Sequence, residues 1–481
     1  MELETIIGLE IHAQLSTKSK LWCSCDNDAF GIKPNMRICP ICTGFPGMLP
    51  VLNKLALDKA LAAAAALGCD IQNFSKFDRK NYFYPDLPTG YQITQNEEPF
   101  ALGGKVEILV PTKDEHGNMS KISAKKIKIT RVHIENDAGK LTHTEKGTFV
   151  DFNRAGTPLI EIVTEPDLRS SVQAKALAQE IQKILRVVGA SDADMEKGMM
   201  RFDASVSLRP FGEKKLYARA EVKNLNSFSS LEKAIEFEIS RQTKLWEAGK
   251  VPEKDSTRGW KEDIEETKLL RAKESADDYR YFPEPDVPPL TFTDEEIAGF
   301  MDDAPELPSE KFSKFNKEYK LSDQDSLKLS ESRELSDFFE EIVDISGDAQ
   351  NSAKLIFSSL LSNEEWQKSS ISSRHFADVI TLLKKSSISS SGAKQILEES
   401  METGESSEKV MIKLGLEQVS NSDDLEKWID EVLSANPKTV EDFKNGKEKV
   451  IGFLVGQIMK ISRGSANPAL VQKVLKEKLK A

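Results

Sequence analysis

Glu10-Ile11-His12 and His133-Ile134-Glu135 are mirror-image triplets, each inside a stretch that alternates in polarity as a β-strand does. Side chains on a strand repeat every second residue, so Glu10 shares a sheet face with His12 and His133 with Glu135, while Ile11 and Ile134 turn to the core. Carboxylate and imidazole repeated on two strands make the donor set of a divalent-cation site. Three further segments follow the same rule. Arg201 to Leu208 alternates Arg, Asp, Ser, Ser with Phe, Ala, Val, Leu; Arg219 to Lys223 carries Arg, Glu and Lys on its polar face; Leu159 to Glu165 puts Glu161 and Glu165 on one side. If these strands join one sheet, its polar face gathers acids for a metal and cationic groups for phosphoryl oxygens. The competing reading is an antiparallel sheet whose polar face is merely wet, with the chain acting as a non-catalytic RNA-binding scaffold.

Four of the five cysteines fall as Cys23-Ser24-Cys25 and Cys39-Pro40-Ile41-Cys42. A C-x-C pair followed by C-x-x-C can close a tetrahedral thiolate site, with zinc as the expected ion. Four thiolates leave no open position, so the role of such a knuckle is structural, and a redox C-x-x-C would not need the first pair. Cys69 reads as a buried small hydrophobe.

Five of the seven tyrosines lie in two charged segments, Arg79-Lys80-Asn81-Tyr82-Phe83-Tyr84-Pro85-Asp86 through Tyr91, and Asp278-Tyr279-Arg280-Tyr281-Phe282-Pro283-Glu284. Aromatic rings beside Arg and Lys offer stacking surfaces to a nucleotide or an RNA end; tyrosines packed on a sheet rim are the bland alternative. The chain has no G-x-x-x-x-G-K-[ST] and no G-x-G-x-x-G, so a nucleotide would bind without a P-loop or a dinucleotide fold. It also lacks a G-x-S-x-G elbow and a Cys nucleophile set beside His.

The elements that must position these residues form an α+β arrangement. Alternation and turn signals run from residue 5 to about 290, interrupted by two helices, one over Leu55 to Leu67 and one over Ser171 to Val188 with Ser170 or Ser171 as cap and Gly189 past its end. Asp114 to Asn118 reads as a hairpin turn. After Pro283-Glu284-Pro285-Asp286-Val287-Pro288-Pro289 the pattern becomes helical, which divides the chain into 1–293, 294–410 and a tail module 411–481. The serine clusters at 369–373 and 386–391 precede apolar-periodic runs and read as helix caps. In the tail, Leu425, Trp428, Ile429, Val432 and Leu433 mark a helix stopped by Asn436-Pro437, Phe453 to Met459 a second, and Asn467-Pro468 the start of a third. Residues 441–481 hold nine Lys or Arg against four Asp or Glu, although the whole chain carries a net charge of −12. That contrast argues against indiscriminate nucleic-acid binding and leaves a local docking patch for a phosphate backbone. No apolar run long enough to span a membrane and no basic, apolar leader are present, so a cytoplasmic location is expected.

These segments together resemble a known family. Ile7-Gly8-Leu9-Glu10-Ile11-His12, Cys39 to Gly47, Phe77 to Asp86, Val150-Asp151-Phe152-Asn153-Arg154, Glu221 to Phe228, Asp278 to Asp286 and Gly452 to Lys460 look like the B subunit of the tRNA-dependent aspartyl/glutamyl amidotransferase, across essentially the whole chain. The resemblance implies a cupped antiparallel-sheet cradle related to glutamine synthetase that binds ATP and Mg²⁺, with the zinc knuckle over about residues 20–45. A helical domain and a tail that grips the tRNA body would follow. It implies an ATP-dependent carbon–nitrogen ligase that uses glutamine as amide donor and converts mischarged Glu-tRNA(Gln) or Asp-tRNA(Asn) to the amidated species. Carried onto matching positions, Glu10, His12, Glu135 and Glu161 are the expected magnesium ligands and catalytic groups. Arg79, Lys80, Arg154 and Lys223 would meet phosphates or the tRNA end, and Tyr82, Tyr84, Arg280 and Tyr281 would shape the pocket.

One departure stands out. The family commonly has two adjacent acids after the His-X pair, and here Glu135 is followed by Asn136; if the family's ligand is the second acid, Asn136 would serve through its carbonyl oxygen or cede the role to Glu135 or Asp137, and alternation favours Glu135, which shares a face with His133. With no glutaminase nucleophile in the chain, ammonia would come from a partner amidase (A) subunit, and a small C subunit would complete the heterotrimer. The related E-type subunit carries a large insertion, for which the short passage from Pro289 into the helices leaves no room.

Overall fold

Both triplets belong to one ten-stranded sheet in the computed structural model, which describes residues 2–113, 119–272, 279–363, 365–417, 422–444, 450–462, 466 and 468–480. The expected turn at 114–118, Asp278 and Asn467 lie outside the described residues. From one side to the other, the strands are Glu266–Ala272, Ser256–Lys261, Ala220–Leu225, Met200–Pro210, Leu3–Gln14, Pro158–Thr164, Met119–Asn136, Ala101–Leu102 and Asp70–Ile71, with Lys105–Lys113 pairing separately onto Met119–Asn136. Its pairings are antiparallel save that of Ala220–Leu225 with Ser256–Lys261, which is parallel.

Register decides what this sheet can do. His12 stands opposite Arg201 on one neighbour and Glu161 on the other, and Glu161 in turn stands opposite His133. Arg201, His12, Glu161 and His133 therefore form a row across four strands. Glu10 faces Asp203 one repeat along. The residues between them are the core: Ile7, Leu9, Ile11, Val132, Ile134, Ile160, Ile162, Phe202, Ala204 and Val206 are all buried. At about 1.5–3 kcal/mol for each large aliphatic side chain removed from water, this face locks the register, since a one-residue slip would send it to solvent.

Helices cover that apolar face. Lys54–Ala66 starts on Asn53, whose Oδ1 accepts from the backbone N–H of Leu55 and Ala56, and it packs through Ala56, Ala60 and Leu61. Ser171–Val187 starts on Ser170, whose Oγ accepts from Gln173 N–H, and ends before Gly189 at φ +66°. A third helix, Phe228–Glu247, corrects the expectation of only two helices in this half. Its buried face includes Leu231, Ala234 and Ile235 but then Glu238 and Gln242, so apolar periodicity lapses halfway. Glu238 is tolerated there because Arg241 and Arg258 ion-pair with it and Thr267 Oγ1 donates to it.

The chain divides into two compact units, Met1–Lys311 and Phe312–Ala481. This division falls later than the proline cluster implies. Helix Asp294–Asp302, held by a Thr293–Glu296 capping box, sends Ile297 and Phe300 onto the core of the first unit, and Leu307 follows them. The second unit is helical and holds two separate apolar clusters. One includes Phe315, Phe339, Phe376 and Ile396; the other includes Leu425, Ile429, Leu454, Ile458, Val471 and Leu475. The serine clusters do sit at helix starts: Ser389 Oγ accepts from Gly392 N–H, and Ser372 N–H donates to His375 Nδ1. Helix Ser422–Ala435 stops where expected, but Pro437 then opens a further short helix, Pro437–Lys444, consistent with proline's fitness for the first helical position. No helix among the described residues is long and apolar enough to cross a membrane.

Candidate functional site

Three central strands bring the expected acids together. Glu10 and His12 come from Leu3–Gln14, Glu161 from Pro158–Thr164, and His133 and Glu135 from Met119–Asn136. His12 Nε2 lies 3.1 Å from Glu161 Oε2, 3.6 Å from Glu135 Oε1 and 3.6 Å from Glu10 Oε1. His133 Nε2 lies 3.4 Å from Glu161 Oε2 and 3.8 Å from Glu135 Oε2. Ligand atoms of Glu10, His12 and Glu161, and again of His133, Glu135 and Glu161, gather within 4.8 Å of one another. Glu165, expected on the same side, is not among them: the register shifts after Val163, and Glu165 accepts from Thr130 Oγ1 instead.

The electrostatics follow from packing three carboxylates into so small a volume. Burial and the charge of Glu161 push the Glu10 carboxyl up to about 7, with His12 pulling the other way. Burial alone would raise Glu161, but His133 and His12 outweigh it and hold this carboxylate well below its usual range. The same pairing overcomes the burial of His133 and lifts its imidazole to about 9. Both imidazoles are held above their ordinary range by these carboxylates, so the cluster favours positive charge at its centre. Buried, oxygen-rich and mutually repelling, this donor set fits a hard divalent cation.

The cavity over these groups is lined also by Lys80, Thr94, Arg131, Lys223, Tyr279 and Tyr281. Lys80 comes from strand Asp78–Asn81, which pairs with Phe282–Pro283 and Tyr91–Thr94 in a small separate sheet. Burial would lower the Lys80 ammonium, yet Glu135 and other negative neighbours hold it above its ordinary range. Lys223 Nζ lies 2.7 Å from Asp203 Oδ2 and 3.4 Å from Glu221 Oε1. Thr94 Oγ1 donates to Glu135 Oε2 at 3.0 Å and so orients that carboxylate. Tyr82 is set edge-on to Tyr279, 6.2 Å between ring centres, and Tyr279 to Tyr281 at 6.0 Å, so the two tyrosine segments form one aromatic cluster at this wall.

Other nominated residues stand apart from the acids. Arg79 makes a bidentate pair with Glu284, at 2.7 and 2.8 Å, and lies 4.2 Å from the Tyr91 ring centre. Arg154 donates to the carbonyls of Ala138 and Gly139 and lies 3.4 Å from Asp137. Tyr84 and Arg280 are exposed; Arg280 has φ +46° and sits near the Phe83 ring. Asn136 Oδ1 accepts from Trp22 Nε1 at 3.1 Å and from Ile93 N–H at 3.0 Å, so its amide serves the packing behind the site. Sequence reasoning did not nominate Asp203, Thr94 or Arg201. Asp203 and Arg201 were visible on the polar face of their strand; Thr94, just past the tyrosine segment that ends at Tyr91, gave no signal.

The four cysteines of the knuckle converge as well, their sulfurs within 4.8 Å of one another, which suits tetrahedral thiolate ligation. A hydrogen bond from Cys23 holds the Cys42 thiol down to about 5, while burial pushes Cys25 up to about 11. The loop carrying them is laced onto residues 150–157: Arg37 N–H donates to Asn153 Oδ1, Asn153 Nδ2 donates to Lys33 O, and Leu21 N–H to Gly156 O. Gly44 has φ +70°, and a Cβ there would lie 2.9 Å from Pro88 O, so only glycine fits that approach.

Residues 5–298 match the family model described as the GatB/GatE catalytic domain, and residues 337–479 match that of the GatB domain. Curated proteins named as the B subunit of the aspartyl/glutamyl-tRNA(Asn/Gln) amidotransferase are similar along the full length. That of Persephonella marina is 45% identical over 487 residues, covering 100% of both chains. That of Caldicellulosiruptor saccharolyticus is 45% identical over 489 residues, covering 100% of this chain and 99% of its own. That of Clostridium tetani is 43% identical over 484 residues, with the same coverage.

Proposed function

The chain belongs to the GatB/GatE family, among the B subunits of the aspartyl/glutamyl-tRNA amidotransferase, and from that membership we propose how its first unit carries out the ATP-dependent step. A side-chain carboxylate is a poor electrophile because amidation would have to expel oxide. Converting it to an acyl phosphate gives ammonia a leaving group to displace. The first unit would be a cradle of the glutamine synthetase kind that performs this phosphorylation on Glu-tRNA(Gln) or Asp-tRNA(Asn). Glu10, His12, Glu135 and Glu161 would hold Mg²⁺, which when bound with ATP supplies charge neutralisation at the phosphates.

The chain's own groups do the rest. Lys80 and Lys223, which line the cavity with the acids, orient phosphoryl oxygens, while Thr94 fixes Glu135. The rings of Tyr82, Tyr279 and Tyr281 give the aminoacyl end of the tRNA an apolar wall and exclude water from the acyl phosphate. Arg79 and Arg154 act at one remove, through Glu284 and Asp137. The cysteine quartet would hold a structural zinc. Ammonia would come from a partner amidase subunit, with a small C subunit completing the complex, in the cytoplasm. Ser389, in the serine cluster at 386–391, is engaged in capping a helix, which supports that division of labour.

The observation that carries the proposal is the convergence of three carboxylates and two imidazoles from three strands, with two lysines in the same cavity. Its test is tRNA-dependent ATP hydrolysis by the reconstituted complex. Glu10→Ala and His12→Ala should each abolish turnover while tRNA affinity is kept, whereas deletion of 411–481 should weaken tRNA affinity and flatten its dependence on salt. Unchanged turnover in both point variants would leave the sheet face merely wet and the scaffold reading standing.

A further inference from the structure

Lys20 is a lysine with no exposure at all, and the proposed reaction has no use for it. Its Nζ donates to the carbonyl oxygens of Arg37 at 2.8 Å and Phe152 at 3.3 Å, and points at Cys42 Sγ 3.7 Å away. Among the described residues it has no carboxylate partner. An ammonium buried against two neutral carbonyls lacks a counter-charge, and such a group is retained only where something nearby carries one. The sulfur of Cys42 is the candidate within reach. Gly156, where an added Cβ would lie 3.5 Å from Lys20 Cδ and from Cys42 Cβ, closes the remaining side.

The chemistry of the quartet says why a cation is needed there. Four thiolates around one divalent ion leave two negative charges in a partly buried loop. An ammonium hydrogen-bonded to one sulfur offsets one of them and withdraws electron density from that sulfur, which makes it a poorer nucleophile toward oxidants and electrophiles. We propose that Lys20 is the charge-balancing partner of the cysteine centre, a positioning residue that is not a ligand yet sets how tightly the metal is held and how well Cys42 is shielded. Through Phe152 it ties the same centre to the turn that carries Arg154, and Arg154 reaches Asp137, which also pairs with Arg201 in the row beside His12. The knuckle is thereby fastened to the edge of the acid cluster.

The inference rests on the reading of the quartet as a zinc centre, and the test separates the two. Zinc content of the purified complex is measured first, then zinc affinity by competition with a chromophoric chelator, for the natural chain, Lys20→Met and Lys20→Arg. Alkylation of Cys42 is followed in parallel by peptide mass spectrometry. Lys20→Met should weaken zinc by ten- to a hundredfold and speed alkylation of Cys42, the range typical of groups that orient a metal's ligands, while Lys20→Arg recovers most of both. Should Lys20→Met not yield folded protein, Lys20→Gln, which keeps donors for the two carbonyls but no charge, carries the same comparison. A natural chain without zinc overturns the metal centre and the inference with it. Zinc in the natural chain with equal affinity and equal alkylation in Lys20→Met, or in Lys20→Gln where that replaces it, overturns the inference alone. So does a Lys20→Arg chain as weak as the uncharged variant, because packing and not charge would then be the cause.

Discussion

Replacing Arg79 by Met should cost stability and spare phosphate binding, the opposite of what its place beside Lys80 in the sequence suggests. The Glu284 side chain is fully buried, and Arg79 keeps only 18% exposure. Breaking a buried pair by removing one partner costs about 3–5 kcal/mol, because the charge left behind has lost its compensation. Two details move the figure in opposite directions. Glu284 keeps one donor, the Asp286 backbone N–H at 3.0 Å, which softens the loss. The guanidinium contact with the Tyr91 ring disappears as well, adding about 0.5–1 kcal/mol. The Asp286 ion pair at 3.1 Å involves a carboxylate with 37% exposure and adds little. The sum is about 3 kcal/mol, which in a unit of this size is roughly 6 °C of melting temperature. The assay is the urea or thermal transition of the first unit for Arg79→Met, Glu284→Met and the double variant. The double variant should recover most of the loss, since two apolar side chains of similar volume leave no orphaned charge. A melting temperature unchanged in Arg79→Met, together with a KM for ATP raised tenfold, would refute the reasoning and return Arg79 to the phosphates.

Three other outcomes follow from the geometry. Asn136→Ala should lower stability by about 1–3 kcal/mol for the Trp22 and Ile93 donors it strands, yet keep turnover and the Mg²⁺ dependence of ATP hydrolysis, whereas Glu135→Ala should lose turnover; turnover lost in Asn136→Ala and kept in Glu135→Ala would make Asn136 the ligand. Glu180 is buried and its carboxyl is raised to about 7, chiefly by burial. A raised pKa favours the folded state at low pH, and that contribution fades as pH climbs from the unfolded value near 4.5 through about 7. Glu180→Gln should therefore gain stability over the natural chain at pH 8, by up to about 3 kcal/mol, and little at pH 5; an equal effect at both values would exclude the buried charge as the cause. Isolated from its partners, the chain should show no glutaminase activity, and release of ammonia from glutamine by a clean preparation would contradict the need for an amidase subunit.

Much of the site could be read from period-two alternation, because the sheet uses that period to separate core from chemistry. Glu10, His12, His133, Glu135 and Glu161 converge where alternation points them. What alternation cannot supply is which strands are neighbours. Nothing in Pro158–Thr164 says that it lies between Leu3–Gln14 and Met119–Asn136, or that Glu161 falls level with His12 and His133. Adjacent charges were read less well for a related reason. Arg79 and Lys80 were nominated together, but neighbours on a strand face opposite ways, and only Lys80 reaches the cavity. Arg79 turns to an acid 205 residues further along, a pairing no local pattern announces. The helix Phe228–Glu247 escaped because its buried face includes Glu238, paired with Arg258 and Thr267 of a distant strand pair, and Gln242, whose amide donates to the Val206 carbonyl.

That division between Arg79 and Lys80 bears on how the site is assembled. The acids sit on long strands backed by a helical layer, where the register is fixed by burial. Lys80 sits on a three-stranded sheet, with Tyr82 and Tyr281 just beyond its strand ends, and one outer strand of it, Phe282–Pro283, is two residues long. So short a pairing is marginal on its own, and the Arg79–Glu284 pair helps fasten it, joining strand Asp78–Asn81 to the residue that follows Phe282–Pro283, beside the Asn81 amide that donates to the Arg280 carbonyl. The cation that meets no acid of the cluster thus helps keep the adjacent cation over it. Loss of Arg79 should appear in catalysis as a fall in kcat, as Lys80, Tyr279 and Tyr281 lose their common support, with KM for ATP held near its natural value by Lys223 and the acids.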